Sequence, residues 1–336
     1  MGFISVAVRV LMNLESLSGV ETVGNLARHR TAPIVMPSGE GYTIRFVPVL
    51  SGESLAHSYQ ELLVQEAKSR KLPIGEYSSR LEFLKFADEH IMSEEKIDPP
   101  KNEKDIRRAE VDVLLKDYVA DVGGFLYAGR KGSPIKRTSC FQVGYAIPAL
   151  WETEVAALES QFHVRFASSR LEAQIPYNVE VGSALYTFTF NLDASRVGVP
   201  STIFGERSKK EKELDESRPE RVMGALSALL KFYSYLSFGA KRSRFLPNME
   251  VISSVASYSD NSHFVVSPGN DKNYITRSAA RREEFVKRVG NLGCKTEVAL
   301  FAYDREGVSA CSGVETLKTI EEMLGKIIEI ARSRLA

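Results

Sequence analysis

The spacing of apolar residues in this chain changes repeatedly between a period of two and a period near 3.6, which restricts the chain to folds that mix strands and helices. Residues 3–15 follow the period of two, so they predict a strand with one apolar face and one mixed face. Such a mixed face is typical of a sheet that is partly open to solvent. A second strand is predicted over 42–49, near a strand end because of Pro48, and the segment 51–54 opens a helix. The apolar face of the first strand consists of Ile4, Val6, Val8, Val10 and Met12.

The remainder of the chain continues this exchange, and its order, strand–helix–strand repeated, is that of the ferredoxin-like fold. The same order underlies the RNA-recognition module (RRM), in which an antiparallel sheet offers one face to RNA. We therefore expect an α+β fold built on a ferredoxin-like or RRM-like antiparallel sheet. The further predictions are a loop over 16–37, a charged helical lobe over 76–120, strands over 136–146, 160–166 and 179–192, a charged linker over 206–216, a helix over 218–237, a loop over 239–244, a strand over 249–258, a helix over 277–289, a strand over 296–303 and a helix over 314–334.

Charge is unevenly distributed over the 336 residues, although the formal net charge is only +1. A nucleic-acid-binding protein usually carries a basic excess. Here basic segments without neighbouring acids occur at Arg28–Arg30, Arg130–Arg137 and Lys241–Arg244, whereas residues 82–117 mix both signs. A locally basic groove on a neutral body is compatible with RNA binding and limits non-specific binding. The length predicts either one elaborated domain or two cores.

Several classes of site are not indicated. The three cysteines, Cys140, Cys294 and Cys311, form no CxxC pair, and their odd number favours a reducing cytoplasm over a disulfide framework. The five histidines show no HExxH or other metal-ligand spacing, and there is no P-loop and no GxSxG motif. We expect no cofactor and no metal. No apolar run approaches the roughly 18 residues that cross a bilayer, and Met1–Ser5 lacks signal-peptide features, so no membrane partner is expected.

The strand from Gln161 to Phe166 is the most informative short segment. Its alternation places Gln161, His163 and Arg165 on one face, where a base and a cation suit contacts with phosphates or base edges. Its other face carries Phe162, Val164 and Phe166. An ordinary solvent-facing strand has the same pattern, and alternation alone does not separate the two interpretations.

Two further kinds of segment are candidates for binding RNA. Gly52-Glu53-Ser54 at a helix start could hold an anion, although Ser51 or Ser54 could equally be an ordinary N-cap. The basic loops Arg130–Arg137 and Gly239–Arg244 enter strands and are bordered by aromatic residues. Cations interleaved with aromatic rings are required by a groove for single-stranded nucleic acid, but charge runs are often merely solvated. The bordering aromatic residues are Phe125, Tyr127 and Phe245.

Motifs across nearly the whole chain, in order, resemble the archaeal CRISPR-associated autoregulator (DevR) family. The similarity is weakest in the charged lobe and beyond about residue 260. The segments that carry it are Asn13–Leu17, Gly24–Pro33, Ser51–His57, Leu115–Gly124, Lys136–Ser139, Gln161–Phe166 and Lys241–Pro247.

The resemblance implies the backbone subunit of an archaeal type I-A Cascade-like antiviral complex, in the seventh family of Cas proteins and the RAMP superfamily. Several copies would stack head to tail along one CRISPR RNA, beside other Cascade-type subunits, and would reach target DNA through the guide. It also implies a palm with inserted finger and thumb elements. The corresponding segments are the first part of the palm over 1–70, an inserted helical lobe over 71–135, the rest of the palm with a β-rich thumb-like insertion over 136–260, and a C-terminal α/β elaboration over 261–336.

By the same resemblance, the palm strands, the loop 16–37, the helix start and the basic loops line the RNA groove. The candidate RNA-binding residues are Arg9, Asn13, Asn25, Arg28, His29, Arg30, Gly52, Ser54, His57, Lys136, Arg137, Ser139, Gln161, His163, Arg165, Lys241, Arg242 and Arg244.

Two alternatives to a non-catalytic RNA scaffold remain. Related type III subunits cleave target RNA with an Asp in the loop after the first strand, but here the segment Ser16–Val23 contains Glu21 and no Asp. A metal-dependent ribonuclease is the second hypothesis, although no paired-carboxylate or paired-histidine signature supports acid–base cleavage. A transcriptional autoregulator is the third, and no helix-turn-helix is recognisable for it. The glycine-rich loop of the superfamily is represented by Gly239 alone.

Overall fold

The computed structural model describes residues 2–129, 132–150, 156–165, 175–307 and 311–335, with Arg165 and Ile175 described by their backbone alone. Strands and helices alternate along the chain, so the expectation of an α+β protein is confirmed. In chain order the elements are β1 (Phe3–Glu15), β2 (Gly19–Val23), β3 (Leu26–His29), β4 (Thr31–Ser38), β5 (Gly41–Pro48), α1 (Gly52–Arg70), α2 (Glu76–Ser79), α3 (Glu89–Glu94), α4 (Ile106–Lys116), α5 (Tyr118–Gly123), β6 (Phe125–Tyr127), β7 (Ile135–Arg137), β8 (Phe141–Val143), β9 (Ile147–Pro148), β10 (Ala156–Arg165), β11 (Ile175–Asp193), α6 (Glu211–Tyr235), β12 (Asn248–Ser259), α7 (Tyr274–Asn291), β13 (Val298–Asp304), β14 (Glu315–Leu317) and α8 (Ile320–Ser333).

The central sheet is mixed and has the strand order β14-β13-β12-β1-β11-β3-β2, with β8, β9 and β10 also pairing along β11. Strand β1 is antiparallel to both β11 and β12, and β10 is antiparallel to β11. Strand β13 pairs in parallel with β14, and β11 pairs in parallel with β3. Because β11 is long, its first half pairs with β10 and its second half lies beside β1.

One face of this sheet is covered by helices. The apolar face of β1 that the sequence predicts is buried together with aromatic residues of β11, under α1, α6 and α8. The Tyr59 hydroxyl of α1 donates a hydrogen bond of 2.9 Å to the carbonyl oxygen of Ala225 in α6, which joins the two helices within this core. Each fully buried aliphatic side chain here stabilises the fold by about 1.5–3 kcal/mol.

The opposite face of the sheet is covered over only part of its area. Ala7 and Val255 pack beneath Phe264 and the first turns of α7, in a separate apolar cluster. Farther along β1, Leu11 and Asn13 are half-buried. The mixed face of β1 is therefore divided into a part under the C-terminal elements and a more open part near the end of the strand.

A second core lies in the helical lobe. Met92, Val111 and Leu114 pack there with Tyr127 of β6 and with Leu214 from the first turns of α6. The lobe therefore has its own apolar cluster and is tied to the main body through α6.

The expectation of a loop over 16–37 is wrong, because β2, β3 and most of β4 lie in this segment. Gly24 has φ +62° in the tight turn between β2 and β3, a conformation that glycine adopts without strain. Strand β4 pairs with β5 in a separate two-stranded hairpin. Pro33 and Pro37 made β4 look irregular in sequence, but an isolated hairpin tolerates residues without an N–H group.

The expected strand over 136–146 is also wrong as one element, since it is divided among β7, β8 and an isolated bridge at Ala146. The interruption is a turn in which the Ser139 hydroxyl accepts a hydrogen bond of 3.1 Å from the Phe141 N–H group. The lobe over 76–120 is helical only in pieces, because Leu81, Lys85 and Lys96 have positive φ values that end helical turns.

Helix α6 begins at Glu211, within the segment expected to be a linker, and includes Pro219. An ion pair of 2.7 Å between Arg107 and Glu211 and the burial of Leu214 fix this early start. At the C-terminus, the expected helix over 314–334 is short strand β14 followed by α8, whose N-cap Thr319 accepts a hydrogen bond of 3.1 Å from the Glu322 N–H group.

Candidate nucleic-acid interface

A buried network holds together the ends of β1, β3 and the middle of β11. His29 Nε2 lies 2.7 Å from Glu15 Oε1, which also accepts a hydrogen bond of 2.6 Å from the Tyr186 hydroxyl. His29 Nδ1 donates to the carbonyl oxygen of Arg30 at 2.8 Å. Since both ring nitrogens face oxygen acceptors, this geometry suits the doubly protonated imidazolium.

The pKa shifts of this pair follow from the same contacts. Burial opposes the charge on Glu15, but the hydrogen bond and charge of His29 outweigh it, so the pKa of Glu15 is lowered. Burial likewise opposes the charge on His29, and the Glu15 carboxylate outweighs it and raises the pKa of His29. His29 therefore stabilises the interior through its contact with Glu15 and offers no positive charge at the surface. It does not form one basic cluster with Arg28 and Arg30.

The ribbon of β10 and β11 carries the informative strand segment, and its polar face turns inward. Phe162 is 65% exposed, whereas Gln161 and His163 are half-buried. The His163 ring stacks on Tyr177 at a centroid distance of 5.3 Å and meets the Phe245 ring edge-on at 5.4 Å. This polar face therefore packs towards the segment after α6 and is not an ordinary solvent-facing strand.

The basic segment between α6 and β12 lies against the end of β1. Gly239 has φ +86°, and the Ala240 N–H group donates a hydrogen bond of 2.8 Å to the carbonyl oxygen of Leu17. Arg244 Nη1 donates to the Tyr177 hydroxyl at 3.4 Å. Burial and the neighbouring charge of Arg244 lower the pKa of Lys241, as is characteristic of cations gathered together.

A cavity of about 440 Å³ connects the same segment with the first turns of α1. Ser51 is the N-cap of α1, and its hydroxyl accepts a hydrogen bond of 3.2 Å from the Ser54 N–H group, as the simpler interpretation of this helix start required. Arg242 is bound to Ser237 at 3.1 Å, while its Nε atom is buried without a hydrogen-bond partner in the described chain. The cavity is lined by Ser54, His57, Ser58, Glu61, Ser237, Gly239, Ala240 and Arg242.

The hairpin of β2 and β3 borders this region. The Asn25 carbonyl oxygen accepts a hydrogen bond of 2.7 Å from the Asn178 N–H group of β11. Arg28 is exposed, 3.7 Å from Glu21, and Arg30 Nε donates to the Ser18 hydroxyl at 3.3 Å. The expectation that no acid lies near the 28–30 segment is therefore wrong.

Five of the candidate residues are buried, engaged in internal contacts or located elsewhere, so they do not contribute to this region: Arg9, His29, Lys136, Arg137 and Ser139. Arg9 is 3% exposed, 2.8 Å from Glu306 and hydrogen-bonded at 2.9 Å to the carbonyl oxygen of Gly269. Arg137 is buried against Asp121 at 2.6 Å and Glu110 at 3.1 Å. Both guanidinium groups make internal ion pairs.

Lys136 and Ser139 also have other surroundings. Lys136 is exposed on the separate β6–β7 hairpin and lines a different cavity, together with Phe204. The hydroxyl of Ser139 is part of the turn before β8. Of Arg165, only the backbone position opposite Ile175 is described, and Arg130 and Lys131 lie outside the described residues.

Sequence reasoning missed Tyr177 and the partnership of Glu15 with His29. Tyr177 lies directly opposite His163 in the β10–β11 register, so knowledge of that register would have identified it. The residues that the structure does gather are Asn25, Arg28, Arg30, Ser54, His57, His163, Lys241, Arg242 and Arg244, with Gly52 at the helix start and with Gln161 and Asn13 on neighbouring strands.

The described residues show neither a metal-binding cluster nor a membrane-spanning helix. They contain no grouping of three or more His, Cys, Asp or Glu side chains able to hold a metal ion. Nor does any helix among them have the length and apolar character needed to pass through a membrane.

Comparisons with known proteins identify the family. The profile described as "CRISPR-associated negative auto-regulator DevR/Csa2" matches residues 6–279. The chain is 48% identical over 97% of its length to the "CRISPR-associated aCascade subunit Cas7/Csa2 2" of Saccharolobus solfataricus, covering 99% of that protein. It is 34% identical over 85% of its length to the "CRISPR-associated protein Cas7/Csa2 1" of the same organism, covering 88% of that protein.

A solved structure has a related fold. A chain from a "CRISPR RNA-guided surveillance complex" aligns with a TM-score of 0.52 and 9% identity, covering 98% of this chain and 99% of that one. At this identity the likeness concerns the fold alone. The sequence matches are sufficient for the assignment, and the chain belongs to the DevR/Csa2 family of CRISPR-associated proteins.

Proposed function

We propose that this chain binds CRISPR RNA as a repeating backbone subunit of a type I-A Cascade-like antiviral surveillance complex and catalyses no reaction itself. The observation that carries the proposal is the surface where Arg244 contacts Tyr177, whose ring stacks on His163, in the same basic segment as Lys241 and Arg242. Cations bind phosphates, and aromatic rings stack on bases, which together form a groove for single-stranded RNA.

The binding surface that we propose, called the RNA surface below, differs from the one expected from sequence. It omits Arg9, His29, Arg137, Ser139 and Lys136, because these are buried, used in internal contacts or located elsewhere. It comprises Asn13, Asn25, Arg28, Arg30, Gly52, Ser54, His57, Gln161, His163, Lys241, Arg242 and Arg244, beside the rings of Tyr177 and Phe245. Arg165 stays a prediction, because the structure describes only its backbone.

The fold supports this proposal in its arrangement around β1. The strand order β12-β1-β11-β10, with α1 and α6 in the core on one face, is the arrangement that a ferredoxin-like palm requires. We assign the helical lobe over 71–135 to the finger and the β10–β11 ribbon to the thumb. The segment 261–336 elaborates the palm, because α7 and α8 pack on opposite faces of its sheet.

The family supports the partners that we propose. A relative is named as an aCascade subunit, and solved structures of related fold come from RNA-guided surveillance complexes. We therefore propose CRISPR RNA, further copies of this chain and other Cascade-type subunits as partners, with target DNA reached through the guide.

The test uses two triple variants and a labelled single-stranded RNA. Replacing Lys241, Arg242 and Arg244 with Ala should weaken binding and reduce the slope of log affinity against log salt by about 2, at about 0.7 for each phosphate contact. The matched control replaces Lys96, Lys101 and Lys104, exposed cations of the lobe, and should bind as the natural protein does. Thermal unfolding confirms that both variants fold.

The outcomes separate the alternatives. Slower migration of the labelled RNA without cleavage products supports the scaffold. Cleavage products that still form with the purified protein would indicate the ribonuclease. The RNA surface would be wrong if the loop variant bound normally while the lobe variant lost affinity.

A further inference from the structure

The β4–β5 hairpin presents an apolar face that nothing in the described molecule covers. Cross-strand pairs place Pro33 opposite Phe46, Val35 opposite Ile44, and Pro37 opposite Tyr42. Tyr42 and Phe46 are 80% and 76% exposed, and Val35 and Ile44 are similarly open. The inner face of the hairpin already packs in a small core with Val49 and Leu150. We call the exposed side the outer hairpin face.

The chemistry of the outer hairpin face indicates a protein partner rather than RNA. Its paired residues, from Pro33 to Pro37 and from Tyr42 to Phe46 on this side, are uncharged, so it offers no group that would neutralise a phosphate. Contiguous exposed apolar residues of this kind mark protein contact sites.

The size of the face indicates a weak contact. The two aromatic rings expose on the order of 300 Å², taking about 200 Å² for a whole aromatic side chain. A stable complex usually buries about 800 Å² on each partner. The outer hairpin face is therefore too small to hold a dimer alone, but it is sufficient where a shared RNA already brings two copies together.

A second apolar surface of the same chain lies on the helical lobe. Ile203 is 83% and Phe204 is 58% exposed, on the segment between β11 and α6. This segment is held in place because the N–H groups of Ser201 and Thr202 donate to the buried Glu110 carboxylate at 2.8 and 2.9 Å. Beside it is a cavity of about 380 Å³ lined by Ile106, Pro134 and Phe204 among others. We call this the lobe loop.

We propose that the outer hairpin face of one copy contacts the lobe loop of a second copy. The hairpin packs against β9 and β10, whereas the lobe loop is anchored on α4, so the two surfaces belong to different parts of the chain. Contact between two unlike surfaces is heterologous, so it can repeat from copy to copy, and it builds an open chain where the rotation between copies does not close a ring. The inference rests on the proposed function, which supplies the RNA that joins successive copies.

The experiment compares single-copy and multiple-copy binding. The hairpin variant replaces Tyr42 and Phe46 with Ser, the loop variant replaces Ile203 and Phe204 with Ser, and Leu292→Ser is the control because Leu292 is 81% exposed elsewhere. Each is measured on an RNA that holds one copy and on one that holds several, by affinity and by particle mass. The hairpin and loop variants should bind the short RNA normally and lose about tenfold or more of the cooperativity on the long RNA.

A mixture of the hairpin variant and the loop variant gives a stronger test of the contact. When the hairpin and loop variants are combined, one intact pair of surfaces remains between unlike copies, so cooperative pairs should return on the long RNA. If two outer hairpin faces contacted each other instead, the mixture would not regain cooperative pairs. Absence of cooperative pairs in the mixture would therefore overturn the proposal. Unchanged cooperativity in either variant, or loss of short-RNA binding by the folded hairpin variant, would also overturn it. Failure of the natural protein on the short RNA would instead remove the proposed function.

Discussion

At the scale of single residues, burial separates the cations that stabilise the fold from those available to a ligand. Arg137 and Arg221 share the carboxylate of Asp121, and all three side chains are fully buried. For Lys241, by contrast, the charge that lowers the pKa is that of another cation, Arg244. In the sequence, the three arginines and Lys241 are alike basic residues, and only their surroundings distinguish the two roles.

Replacing Arg137 with Ala should destabilise the protein by about 3–5 kcal/mol, because it leaves Asp121 and Glu110 buried with less compensation. The adjacent Lys136→Ala is the control, and its exposed side chain should change stability by less than about 0.5 kcal/mol. Denaturant unfolding measures both. Equal stability of the two variants would contradict the structural role of Arg137.

The Glu15–His29 pair predicts a pH dependence of stability. Since folding raises the pKa of His29, its contribution is fully present below about pH 6.5 and is lost as the pH rises through the raised value. The lowered pKa of Glu15 gives a contribution that is present above about pH 4.3 and is lost as the pH falls through the lowered value. The pair therefore contributes most between these limits.

His29→Gln should accordingly lower the free energy of unfolding more at about pH 6 than at about pH 9. The measurement is a series of urea titrations of both proteins across this range. His90→Gln is the control, because His90 is exposed beside Glu94 in the lobe. A difference between natural and variant protein that stays constant with pH would show that the pair does not titrate as described.

At the scale of elements, the strands and helices that were predicted correctly are those whose apolar residues pack in one large core. Strand β1, helix α1 and strand β12 appear where alternation and capping placed them, because their buried faces pack in the central sheet. Strand β4 was missed, although its partner β5 lies where a strand was predicted over 42–49, since the outer face of this hairpin is apolar and exposed instead of polar. Which cations reach the surface also depends on pairings far apart in sequence, such as Arg9 with Glu306, and short-range patterns do not contain them.

The segment around Gly239 is an element whose shape, rather than charge, should control RNA binding. A methyl group at Gly239 would press on the Leu17 side chain and lie 2.9 Å from its carbonyl oxygen, at a φ of +86° that alanine adopts only with strain. Gly239→Ala should therefore displace Lys241 and Arg242 and weaken RNA binding by about tenfold, or about 1.4 kcal/mol.

The matched control for that variant is Gly290→Ala, where a methyl group would meet nothing within 4 Å. Fluorescence anisotropy with labelled RNA gives the affinities, and thermal unfolding confirms that both proteins are folded. Normal RNA affinity in folded Gly239→Ala would mean that the segment does not need its present shape to bind.

At the scale of the whole molecule, a neutral protein can still bind RNA because its charges are locally sorted. In the lobe, Arg107 pairs with Glu211 at 2.7 Å, and Asp112 pairs with Lys210 at 2.8 Å and with Arg108 at 3.1 Å. These three cations are thus neutralised by acids, whereas Arg244 of the RNA surface lies beside the Tyr177 ring. The net charge of +1 limits attraction at long range and leaves a local site for phosphates.

The composition of the RNA surface predicts indifference to RNA sequence. Phosphate contacts carry no sequence information, and stacking on aromatic rings such as Tyr177 and Phe245 accepts any base. Affinities for unrelated RNAs of equal length, measured at one salt concentration, should therefore agree within about tenfold, or about 1.4 kcal/mol. A larger preference for one sequence would require base readout by side chains such as Asn25 or Gln161, and their Ala variants would then abolish the preference. A guide-coating subunit must accept every spacer, so such a preference would contradict the proposed role as well as the proposed surface.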